Sequence, residues 1–197
     1  MTDMHEIERI AKENGGLVTT AQATRIGIPR ARLSEMTKAG RLERVQRGVY
    51  CLSDEMEDEF LAAQLRFPRG VFSDETALYL HGYTDRTPFQ LTMTFPRSYK
   101  ATSVREAGIR VRTCADEVLE LGAENLATPY GNEVRSYNLE RTLCDILRGQ
   151  AVADVQVVNP AMKRYFRSPD RDIQKVLDYA RALNVERKVR TYMEVLL

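Results

Sequence analysis

Imidazole and thiol groups are scarce in this 197-residue chain, which has two histidines, His5 and His81, and three cysteines, Cys51, Cys114 and Cys144. No Cys-x-x-Cys pair occurs, so no metal site is expected. The cysteines are odd in number and about thirty or more residues apart, a pattern of reduced core thiols and not of a disulfide framework. Apolar runs are short, as in Val195-Leu196-Leu197, far from the roughly 18 residues of a membrane span, so no membrane partner is expected. The first residues, Met1-Thr2-Asp3-Met4-His5-Glu6, are acidic and lack the apolar stretch of a signal peptide, which leads to an expected cytoplasmic location. Neither a Gly-x-x-x-x-Gly-Lys-Ser/Thr phosphate loop nor a Gly-x-Ser-x-Gly elbow is found, and no histidine neighbours a cysteine to activate it. Pro169-Asp170-x-x-x-Gln174-Lys175 superficially matches the acids and lysine of a nuclease, but it falls in a helical stripe where carboxylates do not converge on Mg²⁺. The chain is therefore expected to be neither an enzyme nor a cofactor carrier.

What is present is an ordinary globular composition, 43% hydrophobic and 29% charged, with a net charge of only +1. That near-neutrality hides an asymmetry. Residues 21–50 carry seven basic groups, Arg25, Arg30, Arg32, Lys38, Arg41, Arg44 and Arg47, against Glu35 and Glu43, a local +5 that leaves −4 for the remainder. Such a contrast points to a local anionic partner, with a solvated basic face as the bland alternative.

The same stretch has the punctuation of a three-helix unit with a hairpin. Met4, Ile7, Ile10 and Ala11 recur at helical spacing before Gly15-Gly16, and Thr19 followed by Gln22 is a capping-box signature for a short second helix bearing Ala23 and Ile26. Pro29 suits the first position of a third helix that ends near Ala39-Gly40. At 100° per residue, Leu33 and Met36 share a buried face, and Ala31, Ser34, Glu35 and Lys38 lie opposite, flanked by Arg30 and Arg41 on one edge and Arg32 on the other. A helix pair joined by a tight glycine turn, with a small, polar and basic outer face, is a helix-turn-helix. Residues 41–50 then alternate around Leu42, Val45, Val49 and Tyr50 with Gly48 at the tip, which predicts a wing whose Arg44, Gln46 and Arg47 reach a phosphate backbone. Ser34 is the best-placed candidate for a base edge, and the cations, including Arg41, are candidates for phosphates. A dimerisation module remains the alternative for such a unit.

The acidic run Ser53–Glu59 follows abruptly, so a winged-helix domain over 1–53 and a second domain over 54–197 are expected, giving an α+β fold with a helical C-terminus. Asp74 and Glu75 are read as first-turn acids of a helix capped by Ser73, and His81 as a packed or capping residue before Gly82. Strands are predicted at 91–95, 109–112 and 133–137, with the basic loop Pro96–Lys100, including Arg97 and Lys100, between the first two. Asn138 caps a helix with Leu139, Leu143, Ile146 and Leu147 on one face, which leaves Glu140, Arg141, Asp145 and Arg148 toward solvent or a partner. Two apolar stripes, Ile173 to Ala180 and Val185 to Leu196, complete the chain, the first opened by Pro169 and Asp170.

Gly15-Gly16-Leu17-Val18-Thr19-Thr20, the Gly40-x-Leu42-x-Arg44-Val45-x-Arg47-Gly48-Val49-Tyr50 run, Ser73-x-Glu75-Thr76-Ala77-Leu78 and Glu140-Arg141-Thr142-Leu143-x-Asp145 together resemble AbiEi-type antitoxins of bacterial type IV toxin–antitoxin systems, across nearly the whole chain. The resemblance implies a winged-helix domain that represses its own operon at upstream inverted-repeat DNA, and a C-terminal domain that counteracts a nucleotidyltransferase-like toxin without a stable complex. By that resemblance Arg44 and Arg47 belong to the wing and the segment Ser73–Asp145 to the antitoxicity domain, with no neutralising residue identified by it; Arg97, Lys100, Glu140, Arg141, Asp145 and Arg148 are the antitoxicity candidates. The alternative is an adaptor whose three-helix unit binds an acidic partner and whose second domain holds the toxin directly.

Overall fold

The computed structural model describes residues 2–54, 56–148 and 154–196. Two compact units emerge, Met1–Pro68 with Ala127–Val134, and Arg69–Leu126 with Arg135–Leu197.

The first unit begins with helix α1 (Thr2–Glu13), strand β1 (Leu17–Thr19), and helices α2 (Thr20–Arg25) and α3 (Arg30–Lys38). A hairpin of β2 (Leu42–Gln46) and β3 (Val49–Leu52) follows, then helix α4 (Glu59–Arg66). The strands form an antiparallel sheet in the order β1-β3-β2, which with three helices and a terminal hairpin is the winged-helix arrangement. Its core is the one the helical periodicity marks: Ile7, Ile10, Ala11, Ala23, Leu33, Met36, Leu42 and Tyr50 are buried together with Val18, Ile28 and Leu52. The Thr19–Gln22 capping box forms in full. Two local expectations shift. Ile26 is exposed, because α2 ends at Arg25 and Ile26 falls on its C-cap, and Pro29 occupies the N-cap of α3.

Asp58 has no counterpart in the sequence reading beyond its place in the acidic run. It is fully buried, forms no ion pair among the described residues, and its carboxylate is met by hydrogen-bond donors. Oδ1 accepts from the Phe60 and Leu61 amides at the start of α4, and Oδ2 accepts from Thr128 Oγ1 at 2.6 Å and Asn132 Nδ2 at 2.8 Å. An N-cap thus doubles as the clamp that fixes the 127–134 turn in this unit. Gly15 belongs to the same arrangement: its φ is +57°, and a Cβ there would lie 2.1 Å from the Asn132 side-chain oxygen. The acidic run is therefore partly interior structure of the first unit, and α4 packs within that unit.

The second unit holds a five-stranded sheet and most of the remaining helices. Its strands are β4 (Val71–Phe72), β5 (Thr92–Pro96), β6 (Arg110–Cys114), β7 (Ala123–Ala127) and β8 (Glu133–Tyr137), in the order β6-β5-β4-β8-β7. β5 runs parallel to β6 and antiparallel to β4, so the sheet is mixed. Around it lie α5 (Asp74–Leu80), α6 (Thr102–Glu106), α7 (Leu139–Asp145), α8 (Val155–Arg167), α9 (Ile173–Ala182) and α10 (Glu186–Leu196). α9 opens at Asp172, whose side chain caps Lys175, and not at Pro169-Asp170. β5 alternates polar and apolar residues yet is buried throughout. The threonines are accommodated by hydroxyl pairing: Thr94 Oγ1 donates to Ser73 Oγ, and Thr76 Oγ1 accepts from the Thr92 amide. The α7, α8, α9 and α10 stripes converge in one core with Leu78, Leu143, Met162, Phe166, Val176 and Val189 at its centre. All three cysteines are free and buried, as the spacing suggests, and burial with the nearby Asp145 charge pushes the Cys144 thiol up to about 12.

Replacing Asp58 with Ala removes the α4 cap and strands the Thr128 and Asn132 donors. We expect a loss of about 3 kcal/mol in urea denaturation, from roughly 1 kcal/mol for the cap and 1–3 kcal/mol for each stranded donor. An unchanged midpoint would mean that the 127–134 turn is held by something other than this carboxylate.

Candidate nucleic-acid interface

The outer face of α3 is as the periodicity requires, with Leu33 and Met36 inward and Arg30, Ala31, Arg32, Ser34, Glu35 and Lys38 exposed. Gly40, at φ +68°, ends the helix and lets the chain turn directly into β2. The wing tip is tied down at Gly48, whose carbonyl accepts from the Thr20 amide at 2.8 Å and from Thr20 Oγ1, so the first residue of α2 fixes the turn that carries Arg47. A register shift between Glu43 and Gln46 marks a bulge in β2, where Arg44 sits.

Ion pairing divides the expected contact residues. Arg30, Lys38, Arg41, Arg44 and Arg47 have no carboxylate partner among the described residues, and all five are exposed. Arg44 makes one long hydrogen bond, from Nε to the Gln46 carbonyl at 3.4 Å. Arg32 differs from the reading of a free cation: it donates to Asp3 at 3.1 Å and to Glu35 at 2.8 Å, which ties α3 to α1 and spends its charge locally. Gln46 also has a prior engagement, since its side-chain oxygen accepts from Arg66 at 3.3 Å. Ser34 stays exposed, with its hydroxyl only 3.4 Å from the Arg30 carbonyl, a contact weak enough to exchange for another partner. The surface therefore presents five unpaired cations around one hydroxyl, on a helix and a hairpin held by packing.

In the second unit the expected solvent-facing set separates differently. Arg97 and Lys100 are exposed on the turn after β5. Arg141 and Asp145 are not exposed at all: Arg141 is fully buried and Asp145 is 4% exposed. The helical-wheel reading fails here because α7 is covered on both sides. Arg141 Nε donates to Asp145 Oδ2 at 2.9 Å, its Nη1 donates to the Val118 and Leu121 carbonyls at 2.8 Å each, and its guanidinium lies 4.1 Å from the centre of the Tyr137 ring. Gly122, at φ +78°, leaves room for it, since a Cβ there would stand 2.8 Å from the Arg141 Cβ. Arg148 closes the other side of Asp145 at 2.9 Å. Glu140 is mostly buried and binds Lys175 Nζ at 2.9 Å and the Tyr165 hydroxyl at 3.1 Å. The Glu-Arg-x-Leu-x-Asp motif thus joins α7 to α8, α9 and the 118–122 loop.

Asp74 is a further departure. It begins α5, as expected, but with φ +51°, 5% exposed, and bonded by both carboxylate oxygens to Arg112 at 2.6 and 3.1 Å. Burial pushes its carboxyl up, against the pull of Arg112. Ser73 accepts from Thr94 and does not cap the helix with its side chain, and His81 Nε2 lies 2.9 Å from the Tyr137 carbonyl, the packed role read for it. Pro169, Asp170, Gln174 and Lys175 bring no acids together: Gln174 bonds Asp178, and Lys175 bonds Glu140.

Residues 5–53 match the family model described as a transcriptional regulator, AbiEi antitoxin. No curated protein matches the chain. Among solved structures, the crystal structure of RV2827C protein from Mycobacterium tuberculosis superimposes with a TM-score of 0.53 at 13% identity, covering 98% of this chain and 81% of that one, a likeness of fold. The resemblance read from the four sequence motifs is thus upheld at its N-terminal module. No helix among the described residues is long and apolar enough to cross a membrane.

Arg141→Met keeps the length of the side chain but leaves the Val118 and Leu121 carbonyls without a donor and Asp145 with only Arg148. We expect about 3 kcal/mol of destabilisation in chemical denaturation, the scale of breaking one side of a buried ion pair. Arg97→Ala, on the exposed turn, should stay within about 0.5 kcal/mol of the parent. Equal stability of the Arg141 variant would return that residue to the set available for a partner.

Proposed function

We propose that this chain is an antitoxin that represses its own operon, with α3 and the β2–β3 wing of the first unit binding duplex DNA. The observation that carries the reading is the coincidence of the AbiEi-regulator match over residues 5–53 with unpaired cations on α3 and the adjoining hairpin. Arg30, Lys38, Arg41, Arg44 and Arg47 neutralise phosphates, and Ser34 offers a hydroxyl to a base edge from the centre of α3. Arg32 contributes only after exchanging Asp3 and Glu35 for a phosphate, so its share is smaller. The operator is an inverted repeat upstream of the chain's own gene, as the family resemblance implies.

The partner in function is a nucleotidyltransferase-like toxin, opposed in the type IV manner without a stable complex, in a phage-defence system of the abortive-infection kind. Residues 1–53 carry repression, and residues from 54 onward carry protection. Within the latter, Arg97, Lys100 and the partly exposed Arg148 are the antitoxicity candidates open to a partner. Arg141, Asp145 and the mostly buried Glu140 serve it from inside, by holding α7. Protection acts in the cytoplasm and uses no cofactor.

The test is equilibrium binding of the chain to a duplex from its upstream region and to a scrambled duplex, across a salt series. Preference for the upstream duplex is expected, with affinity falling linearly in log salt by about 0.9 per neutralised phosphate. Arg44→Glu with Arg47→Glu should lower that slope by about 2 and weaken operator binding about tenfold or more, while the variant still protects cells against the toxin. Equal, weak binding to both duplexes by the parent chain would overturn the repressor reading and favour the adaptor that holds its toxin directly.

A further inference from the structure

A second concentration of positive charge lies in the second unit, on the crossover from β5 through α6 to β6. Residues 97–112 carry Arg97, Lys100, Arg105, Arg110 and Arg112 against Glu106 alone, a local +4. With +5 at residues 21–50 and +1 for the whole chain, everything outside these two segments sums to −8. This segment is therefore a departure from its surroundings and not a sample of them.

Most of these cations are left free by the fold. Arg112 is taken up by Asp74, but Arg97, Lys100, Arg105 and Arg110 are exposed and have no carboxylate partner among the described residues. Elsewhere in this unit Arg86, Arg135, Arg148, Lys175, Arg181 and Arg190 are each held by an acid, while the exposed Lys163, Arg167 and Arg187 are not paired among the described residues, so it is the build of the turn that sets its cations apart. The basic turn is built and not loose. The Arg97 amide donates to the Cys114 carbonyl at 3.0 Å, the Tyr99 amide donates to the Pro96 carbonyl at 3.0 Å, and the Tyr99 ring stacks on Phe95 at 4.6 Å. Arg69 adds a further cation, its guanidinium 5.8 Å from the Tyr99 ring. Exposed hydroxyls at Ser98, Thr102 and Ser103 are interleaved with the cations. Arg97, Lys100 and the hydroxyls of Ser98, Thr102 and Ser103 are the side chains that bond phosphate oxygens, and the turn that carries them lies at the carboxyl ends of the parallel strands β5 and β6, where open sheets carry ligands, whereas Arg110 stands opposite Thr92 at the amino ends.

We infer that this β5–α6–β6 turn is a second contact for duplex DNA, gripping the phosphodiester backbone without reading bases. The choice of duplex DNA rests on the repressor reading of the first unit. A duplex held by one unit of a chain raises its effective concentration for the other, so a weak backbone contact contributes avidity without any sequence preference of its own. The contact itself needs only phosphates and does not depend on the operator.

The experiment compares the full chain with Arg97→Glu and Lys100→Glu together, on upstream and scrambled duplexes over a salt series. Both duplexes should weaken by a similar factor, about fivefold or more at low salt, with the log–log slope reduced by about 2 and the preference between duplexes unchanged. Arg97→Lys with Lys100→Arg should bind as the parent does. The same charge change placed on exposed residues of α8, Lys163→Glu with Arg167→Glu, should move affinity less than twofold. An unchanged slope, an equal loss from the α8 variant, or tighter Arg97- and Lys100-dependent binding to single-stranded RNA than to duplex would each overturn the inference. Loss of upstream preference in the parent chain would defeat the repressor reading alone, because the scrambled duplex still reports on this turn.

Discussion

A charge removed from water must be met by opposite charge or by donors and acceptors aimed at it, and this constraint sorts the ionic residues of the chain into two populations. The buried ones are engaged and hold elements together: Asp58 gathers four donors, Arg141 spans Asp145 and two carbonyls through Nε and Nη1 while its buried Nη2 has no hydrogen-bond partner among the described residues, and Asp74 takes Arg112 by both oxygens. Arg32 apart, the exposed cations of α3, the wing and the turn after β5 carry no such obligations. Removing any of the first kind leaves a partner stranded in low dielectric. Removing one of the second kind costs the fold almost nothing, so those positions are free to serve an external anion.

That division explains where sequence reasoning succeeds and where it fails. The winged-helix unit is legible because its signals are local: Thr19 and Gln22 sit three residues apart, Leu33 and Met36 share one face of a single helix, and Gly48 occupies the tip of a short hairpin. Burial of ionic residues is a tertiary property. Nothing within Glu140–Asp145 announces that loop 118–122 covers Arg141, and nothing near Asp58 announces that Thr128 and Asn132, some seventy residues later, complete its shell. A helical wheel assigns such residues to solvent by default. The spacing of Arg141 and Asp145, four apart on one helix, is equally that of an exposed pair. β7 is missed for a related reason, since Ala123–Ala127 is a half-exposed edge strand with polar residues at its middle and no alternation to detect.

The candidate interface was legible to a similar depth. Periodicity placed Arg30, Ser34 and Lys38 on the outer face of α3, and the structure keeps them there. It could not show that Arg32, equally exposed, is bound by Asp3 from α1, because that contact spans 29 residues. Counting charges therefore overstates what a face offers a ligand. The useful quantity is charge left after internal pairing, and by that measure the five free cations of the first unit describe the surface better than a formal +5 over thirty residues.

The same measure separates the two readings of the Glu-Arg-x-Leu-x-Asp motif. If Arg141 and Asp145 met a toxin, complex formation would have to pull a paired guanidinium and carboxylate out of a shell that includes two carbonyls, a ring face and Arg148. The cost of leaving either ion unpaired, about 3–5 kcal/mol, would consume much of the energy of a modest interface. Such residues are better suited to fixing α7 against α8, α9 and the 118–122 loop, so that exposed groups on those elements hold a constant geometry. Loss of protection on mutating this motif would therefore report first on the shape of the unit. A contact with any external partner is better sought among exposed residues, whose substitution leaves the interior intact.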